Sequence, residues 1–540
     1  MTRRHMLWQC TAMLVALLGF PAADPSAAST DDDARPVVDL LITGGTVYTG
    51  DDAPPFVGDV AVSGETIAYV GPDAVRHYRP KRLLDATKLI VAPGFIDAHT
   101  HPDSYIRSLD PGLRRNAPWL FQGVTTVMIG VDGGGTPDVA DEKAHFERYH
   151  VGTNLVPYVG FGAVRERVLG QQARAPTEAE LGGMRSLVAK AMCEGAVGLS
   201  TGLFYAPQSF ATTAEVVAVA REAATRGGIY DTHQRDESSY TIGLLRSVDE
   251  TLQIGREAGL PVHFAHIKAL GVDVQGQAPQ VISLINAARA AGQDVTADQY
   301  PWAASGSALE PSLLPRSAVD GGRASMLRRI NDPNQLDRIR AEMRENLRRR
   351  GGAGSLLLTA SGFDWSGRTL AQMAASWRVD PIDAALRIIR ATDTGGEVAS
   401  FNMIEADIDL FMRQAWVVTS SDGSDGHPRQ YATFPRKYAK YVLADGVITV
   451  GEFIRSSTGR TADIFKLDRR GYLRQGYFAD IVVFDPGRYS PKADYVHPKV
   501  LSVGVSELLV NGRSAIHAGK LTTASAGRVL LRNPTPGSCP

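Results

Sequence analysis

From about residue 92 to residue 420, short apolar runs alternate with amphipathic ones, and this alternation leaves few folds open. Val124 to Ile129, Leu155 to Phe161, Ala196 to Leu199, Ile229 to His233, Pro261 to His266, Asp294 to Tyr300 and Trp416 to Ser420 read as buried strands. Helices fall between them. Thr212-Thr213-Ala214-Glu215 has capping-box spacing and opens one that stops at Gly227-Gly228. Leu245, Val248 and Leu252 mark the face of the next, which ends before Gly259 and Pro261, and Val281 to Ala291 forms a third. With the run that ends at Asp97, eight strands alternate with helices. The expected fold is α/β, a parallel (β/α)8 TIM-type barrel over residues 92–466.

Two regions depart from the alternation. Residues 302–361 have a Gly/Ser/Pro-rich start and one helix with Leu336, Ile339, Met343 and Leu347 on one face. They read as an insertion after strand seven, at the end of the barrel where lids and specificity elements lie. Residues 37–91 and 467–525 are short strands separated by tight turns such as Gly44-Gly45 and Asp485-Pro486-Gly487. They are expected to form one small β-sandwich from both chain ends.

The first 28 residues read as an export signal. Arg3 and Arg4 precede an apolar run, Leu7 to Phe20, which is too short for a membrane span, and small residues follow. Thr2-Arg3-Arg4-His5-Met6-Leu7 resembles a twin-arginine signal, which points to the periplasm and allows membrane contact only through an uncleaved signal. The formal net charge of −1 gives no basic excess to meet phosphates, so no nucleic-acid partner is expected. The run Arg344 to Arg350 reads as the solvated face of a helix. Of three cysteines, Cys10 lies in the signal; Cys193 and Cys539 make no disulfide framework, and Cys193 reads as a small core residue.

Chemistry gathers at the strand ends. His99 and His101 stand two apart on an extended segment, so their rings face the same way, as a metal half-site requires. Strand one also offers Asp97, strand two Asp132, strand five His233, strand six His266 and Lys268, strand seven Asp298 and Tyr300, and strand eight Asp422. Other histidines fall in loops, helices or the terminal strands, and His263 lies out of phase with His266, as a packed or surface residue would. Imidazoles with carboxylates suit zinc, as one ion or two, with iron, manganese or nickel as other occupants.

The chain here resembles the amidohydrolase superfamily, through Pro93-Gly94-Phe95-Ile96-Asp97-Ala98-His99-Thr100-His101, and within it the N-acyl-D-amino-acid deacylase (D-aminoacylase) family. Leu199 to Tyr205, Gly227 to Glu237, His266-Ile267-Lys268, Tyr300-Pro301-Trp302 and His427 to Arg436 carry the narrower resemblance. It implies that His99 and His101 hold one metal position and that His233 and His266 hold the other. It makes Asp422, at the metal, the general base and acid, with Lys268, Tyr300 and Arg429 holding the substrate α-carboxylate. Where the family places a bridging cysteine in Gly-Asn-Cys-Gly, this chain has Gly130-Val131-Asp132-Gly133, and a carboxylated lysine has no candidate at Gly198-Leu199-Ser200. Asp132 is therefore the expected bridge.

The implied reaction is hydrolysis of the amide bond of small N-acyl-D-amino acids, with Asp422 taking a proton from water and giving it to the leaving amine. A dipeptidase for peptides with a C-terminal D-residue would need the same carboxylate clamp. Opening of cyclic amides or lactones, or metal binding without catalysis, would leave that clamp unused. Leu309, Leu313 and Leu314 suggest an apolar side-chain pocket or the insertion's own core, and Glu310 disfavours an acidic substrate side chain.

Overall fold

The structure is a computed structural model that describes residues 34–539; the expected export signal lies outside the described residues. Eight parallel strands form the barrel. They are Phe95–Asp97, Val124–Ile129, Asn154–Pro157 continued by Val159–Gly160, Gly198–Gly202, Ile229–His233, Val262–Phe264, Val295–Gln299 and Val417–Thr419. Strand three is interrupted at Tyr158, whose N–H still reaches Ile129 O at 3.0 Å. The ring closes between strands eight and one. There Asp422 N–H donates to His99 O and His101 N–H to Gly423 O, both at 2.9 Å.

The outer helices form because their apolar residues recur on the strand-facing side. Val216, Val219, Ala220 and Ala223 from the helix Thr213–Thr225 pack with Val248 and Leu252 of the next helix against Leu199, Tyr230 and Val262. Full burial of a side chain such as Leu252 contributes about 1.5–3 kcal/mol. The Thr212 cap is half of the expected box. Its hydroxyl accepts from Glu215 N–H at 3.2 Å, but the Glu215 carboxylate turns to Arg165 at 2.9 Å.

A single nine-stranded sheet stitches the two chain ends together: Ile90–Pro93 pairs with Thr46–Val47 on one side and antiparallel with Ile481–Phe484 on the other. Strand alternation gives the sheet two apolar faces. Ile481 and Val483 join Leu40, Ile42, Val60 and Leu509 in its own core, whereas Val482 and Phe484 join Phe95 and Phe434 against the barrel.

The excursion after strand seven is longer than its composition suggests. It runs on past residue 361 to Phe401, because Glu397–Phe401 returns as the central strand between Ala304–Ala308 and Leu356–Leu358. Leu309, Leu313 and Leu314 are buried in the excursion's own core with Met343 and Ile389, so they do not line a substrate pocket. Glu310 pairs with Arg323 at 3.3 Å, outside the cavity.

Two further expectations are corrected. Cys193 is bonded to Cys539. Beyond the sheet, the tail crosses the starts of barrel strands three to five, with Leu530 N–H on Leu155 O, Arg532 N–H on Gly195 O and Thr535 N–H on Arg226 O. That path brings together two cysteines 346 residues apart in sequence, a pairing that spacing could not reveal. The arginine run is not uniformly solvated either: Arg344 and Arg348 are exposed, but Arg350, just past the helix Pro333–Arg349, is only 2% exposed.

Candidate metal centre and active site

Three of the expected site residues sit where the chain leaves a strand through left-handed backbone: Asp132 (φ 54°), His266 (φ 37°) and Asp422 (φ 47°). Non-glycine residues rarely adopt this region, and the strain is held by neighbouring bonds. Behind Asp132, Gln208 accepts from Gly202 N–H at 2.7 Å and donates to Asp132 O at 2.8 Å. Gly133 (φ 78°) must lack a side chain here, since a Cβ would stand 2.1 Å from Gln208 Oε1. Asp298 braces His266, accepting its backbone N–H at 2.8 Å. His263 is packed inside the barrel on the same carboxylate, at 3.0 Å, and the kink at His266 allows both rings to face inward despite their spacing. Asp97 is also a brace. It accepts from Ser421 N–H at 2.8 Å and Trp119 Nε1 at 3.0 Å, tying strand one to the loop after strand eight.

The four imidazoles converge on two carboxylates. Asp132 Oδ1 lies 3.3 Å from His99 Nε2, 3.5 Å from His266 Nε2 and 3.9 Å from His233 Nδ1. Its Oδ2 lies 3.5 Å from His101 Nε2. Asp422 Oδ1 lies 3.3 Å from His101 Nε2 and 3.9 Å from His99 Nε2. His99, His101 and Asp422 thus offer one set of ligand atoms within 4.8 Å of one another, and His99, Asp132 and His266 a second.

This donor set fits a divalent cation. Both ring nitrogens of His99 and Oδ1 of Asp132 are buried with no hydrogen-bond partner, a costly state unless an ion completes them. Charge balance agrees. Burial opposes ionisation of Asp132 and Asp422, yet the imidazoles hold Asp132, and Arg429 with the imidazoles holds Asp422, well below the usual carboxylate range. Burial and Lys268 oppose a proton on His266, but Asp422, Glu237 and Asp132 raise it to about 10, so its ring carries a positive charge among these carboxylates that a bound cation would take over by displacing the proton. Burial lowers His233 to about 4, leaving it neutral as a ligand must be.

Lys268, Tyr300 and Arg429 line the same cavity of about 390 Å³. The Tyr300 ring lies between the two cations, 4.9 Å from Arg429 Cζ and 5.5 Å from Lys268 Nζ. Tyr300 Oη and Arg429 Nε are buried without partners. Arg429 Nη1 donates to Asp422 Oδ2 at 2.6 Å. The excursion adds Ser305, Gly306, Ser307 and Ala308 to the lining, with Gly306 against Arg429.

Glu237 carries a role that sequence reasoning left unassigned. Its Oε1 lies 2.5 Å from Lys268 Nζ and 3.2 Å from His266 Nδ1, and its Oε2 lies 3.7 Å from His233 Nε2. A carboxylate behind a ligating imidazole fixes its orientation. The signal available was its position four residues after His233.

Known proteins share this arrangement of chain and fold. An amidohydrolase family model matches residues 361–516. D-aminoacylase of Alcaligenes xylosoxydans xylosoxydans is 34% identical over 93% of this chain and 99% of its own length. A D-aminoacylase structure solved to examine its binuclear metal centre superposes with a TM-score of 0.77 at 30% identity, covering 92% of this chain and all of the other. N-acyl-D-glutamate deacylase from Bordetella bronchiseptica, solved with zinc and a phosphonate mimic of the tetrahedral intermediate, also superposes at 0.77, with 27% identity over 92% of this chain and 99% of that one. With a metal-ligand cluster at the mouth of a (β/α)8 barrel and a relative of this identity along nearly its whole length, the chain belongs to the D-aminoacylase family of amidohydrolases.

Proposed function

We propose that this protein is a zinc-dependent N-acyl-D-amino-acid deacylase that works outside the cytoplasm. One observation carries the reading: Asp422 stands between the imidazole cluster and the cationic clamp, with one oxygen facing His101 and the other gripped by Arg429. A single carboxylate is thus within reach of both a metal-activated water and an amide whose α-carboxylate is held beside it.

His99, His101 and Asp422 would hold one ion, and His233 and His266 another, with Asp132 between them. A bound zinc ion supplies Lewis acidity, polarising a carbonyl and making water a better nucleophile at neutral pH. Arg429, Lys268 and the Tyr300 hydroxyl bind the α-carboxylate, where fork-like and point cations suit it. The scissile amide then lies over Asp422. Asp422 Oδ1 accepts the proton of the attacking water as the C–O bond forms. It returns that proton to the amide nitrogen as the C–N bond breaks, releasing a carboxylic acid and an amine, which leave as carboxylate and ammonium once the second proton of the water passes between them. Arg429 keeps the other oxygen fixed throughout.

Export is supported by the twin-arginine-like start of the sequence and by the Cys193–Cys539 bond, a linkage favoured in oxidising compartments. The test is turnover of N-acetyl D- and L-amino acids by the zinc-loaded protein, with detection of the free amine. The reading requires release from D-substrates that stops on chelation and returns with zinc. Exclusive release from L-substrates overturns it. Export is checked by fractionation of cells expressing the full chain, where a purely cytoplasmic product contradicts it.

A further inference from the structure

Arg350 is a buried cation that neither the metal centre nor the α-carboxylate clamp uses. It lies just past the C-terminal end of the helix Pro333–Arg349, where the helix dipole favours a cation, and its side chain lines the substrate cavity. Its backbone is fixed. Its N–H donates to Asn346 O at 3.2 Å, and its carbonyl accepts from Ser355 Oγ at 2.7 Å. The guanidinium is nearly unpartnered: Nη1 donates to Ser400 Oγ at 3.1 Å, and Nε is buried with no acceptor. Among the described residues no acid forms an ion pair with it.

A buried, uncompensated charge is costly, and the cost is relieved where a ligand completes the pair. The surroundings put the missing anion inside the cavity. Arg350 Cζ lies 5.6 Å from the Tyr240 ring, Tyr240 packs on Phe204, and Phe204 packs on His233. On the other side, Ser400 pairs with Ser305, whose neighbour Gly306 abuts Arg429. Arg350 therefore lines the same cavity as the metal cluster and the α-carboxylate clamp, linked to each through intervening residues. A second cation, Arg316, lies 4.1 Å over Phe204; among the described residues it forms no ion pair, though the Asp236 charge acts on it. Asp236, beneath Tyr240, is already taken up by the N–H groups of Ser238, Tyr240, Thr241 and Gly243.

Of the cavity's acids, Asp132, Asp422 and Glu237 are engaged by the imidazoles, Arg429 and Lys268, and the other two are Glu397 and Asp425. Glu397 pairs with Ala308, three residues out from the Ser305–Ser400 pair, or about 10 Å along the strand. Burial favours its neutral form, and Asp425 is paired with Lys499 at 3.4 Å. Each acid of the cavity is thus engaged by another partner or, at Glu397, favoured in its neutral form.

We propose that Arg350 is a second anion-binding residue, which takes a carboxylate carried by the substrate in addition to its α-carboxylate. This rests on the deacylase reading above and narrows it to dicarboxylic substrates, with the extra charge on the side chain or on the acyl group. It reverses the expectation drawn from Glu310.

Two substrate pairs separate these sources, each differing by one charge: N-acetyl-D-glutamate against N-acetyl-D-glutamine, and N-succinyl-D-leucine against its succinamoyl analogue. With zinc-loaded enzyme, kcat/KM favours the charged member of at least one pair. Arg350→Gln lowers that preference about 100-fold, mainly through KM, as expected for loss of a charge-assisted pair in a dry site, and Arg350→Lys keeps part of it. Thermal midpoints check that the variants fold. If Arg350→Gln does not fold, Ser400→Ala, which frees the guanidinium from its guide, must lower the same preference. Turnover of the neutral members with no preference for charge overturns this inference alone, as does an equal loss on both members of a pair. Turnover of none of the four overturns the deacylase reading and this inference with it.

Discussion

Arg429 Nη1 and Asp422 Oδ2 are 2.6 Å apart, so the cation expected to hold the substrate carboxylate already grips the expected proton carrier. Both side chains are buried, and burial alone would push Asp422 towards its neutral form. Arg429 and the imidazoles outweigh that and keep it ionised, as a base must be before water arrives. The pair couples binding to chemistry, because a carboxylate drawn to Arg429 lands beside the oxygen that must shuttle the proton.

Asp422→Asn removes the proton acceptor but keeps the shape and the link to Arg429. Turnover of an N-acyl-D-amino acid should fall by about 10²–10⁴-fold, the usual contribution of a positioned acid–base group. The thermal midpoint should hold, and metal analysis should still find zinc on the remaining imidazoles. An Asn variant with near-native kcat would remove Asp422 from the mechanism.

Glu237→Gln should act through its neighbours. The amide keeps an acceptor for Lys268 Nζ, now 2.5 Å from Oε1, but loses the charge that orients His266 and His233. Loss of an outer carboxylate of this kind costs about 10–100-fold in metal affinity or activity. Zinc affinity, measured by competition with a chelator, should weaken along with KM for the α-carboxylate. Unchanged affinity with lowered kcat would instead place Glu237 at the reacting atoms.

The residues at the strand ends were legible because a parallel barrel forces them to one face, whichever way each turns. The reason for their convergence was only partly legible. His99 and His101 follow strand alternation, but Asp132, His266 and Asp422 reach the centre through left-handed backbone that no periodicity reports. Gln208, which props the Asp132 turn, comes from another loop. Arg350 looked like the end of a solvated run because helical phase does not show what a neighbouring strand will cover, and here Ser400 of the returning strand covers it. The excursion beyond residue 361 was hidden for the same reason: its closing strand pairs with a segment almost a hundred residues earlier.

Lys437 gives a pH-dependent stability. Its ammonium is buried, donating to Thr419 Oγ1 at 2.8 Å and towards Ser456 Oγ at 3.5 Å, with no acid in contact. Burial pushes it down to about 7. An unfolded lysine titrates near 10.4, so between these values the unfolded chain carries the extra proton and stability rises with pH. This group adds a slope of up to about 1.4 kcal/mol per pH unit in that window. Urea unfolding at pH 7, 8 and 9 should show the slope in the native chain and its loss in Lys437→Met. Parallel pH profiles for the two proteins would mean that Lys437 stays protonated in the fold.

The Cys193–Cys539 bond closes a loop of 346 residues and holds the end of a tail that is also tied down by backbone hydrogen bonds to the starts of strands three, four and five, by Arg528 on Asn154 and Glu65, and by packing of Val529 and Leu530. Restricting so long a loop removes much of the unfolded chain's freedom, so Cys539→Ser should lower stability by about 2–5 kcal/mol. The cavity lies at the other end of the barrel, so kcat/KM should hold below the new unfolding midpoint. Cys193→Ser, Cys539→Ser and the double variant should lose the same amount, because one bond is lost in each case. A reductant should bring the native protein to the same midpoint without moving the variants, and limited proteolysis should then cut after residue 521. Additive losses in the double variant, or a midpoint indifferent to reductant, would show that the two thiols act separately and that the tail is held by its other contacts.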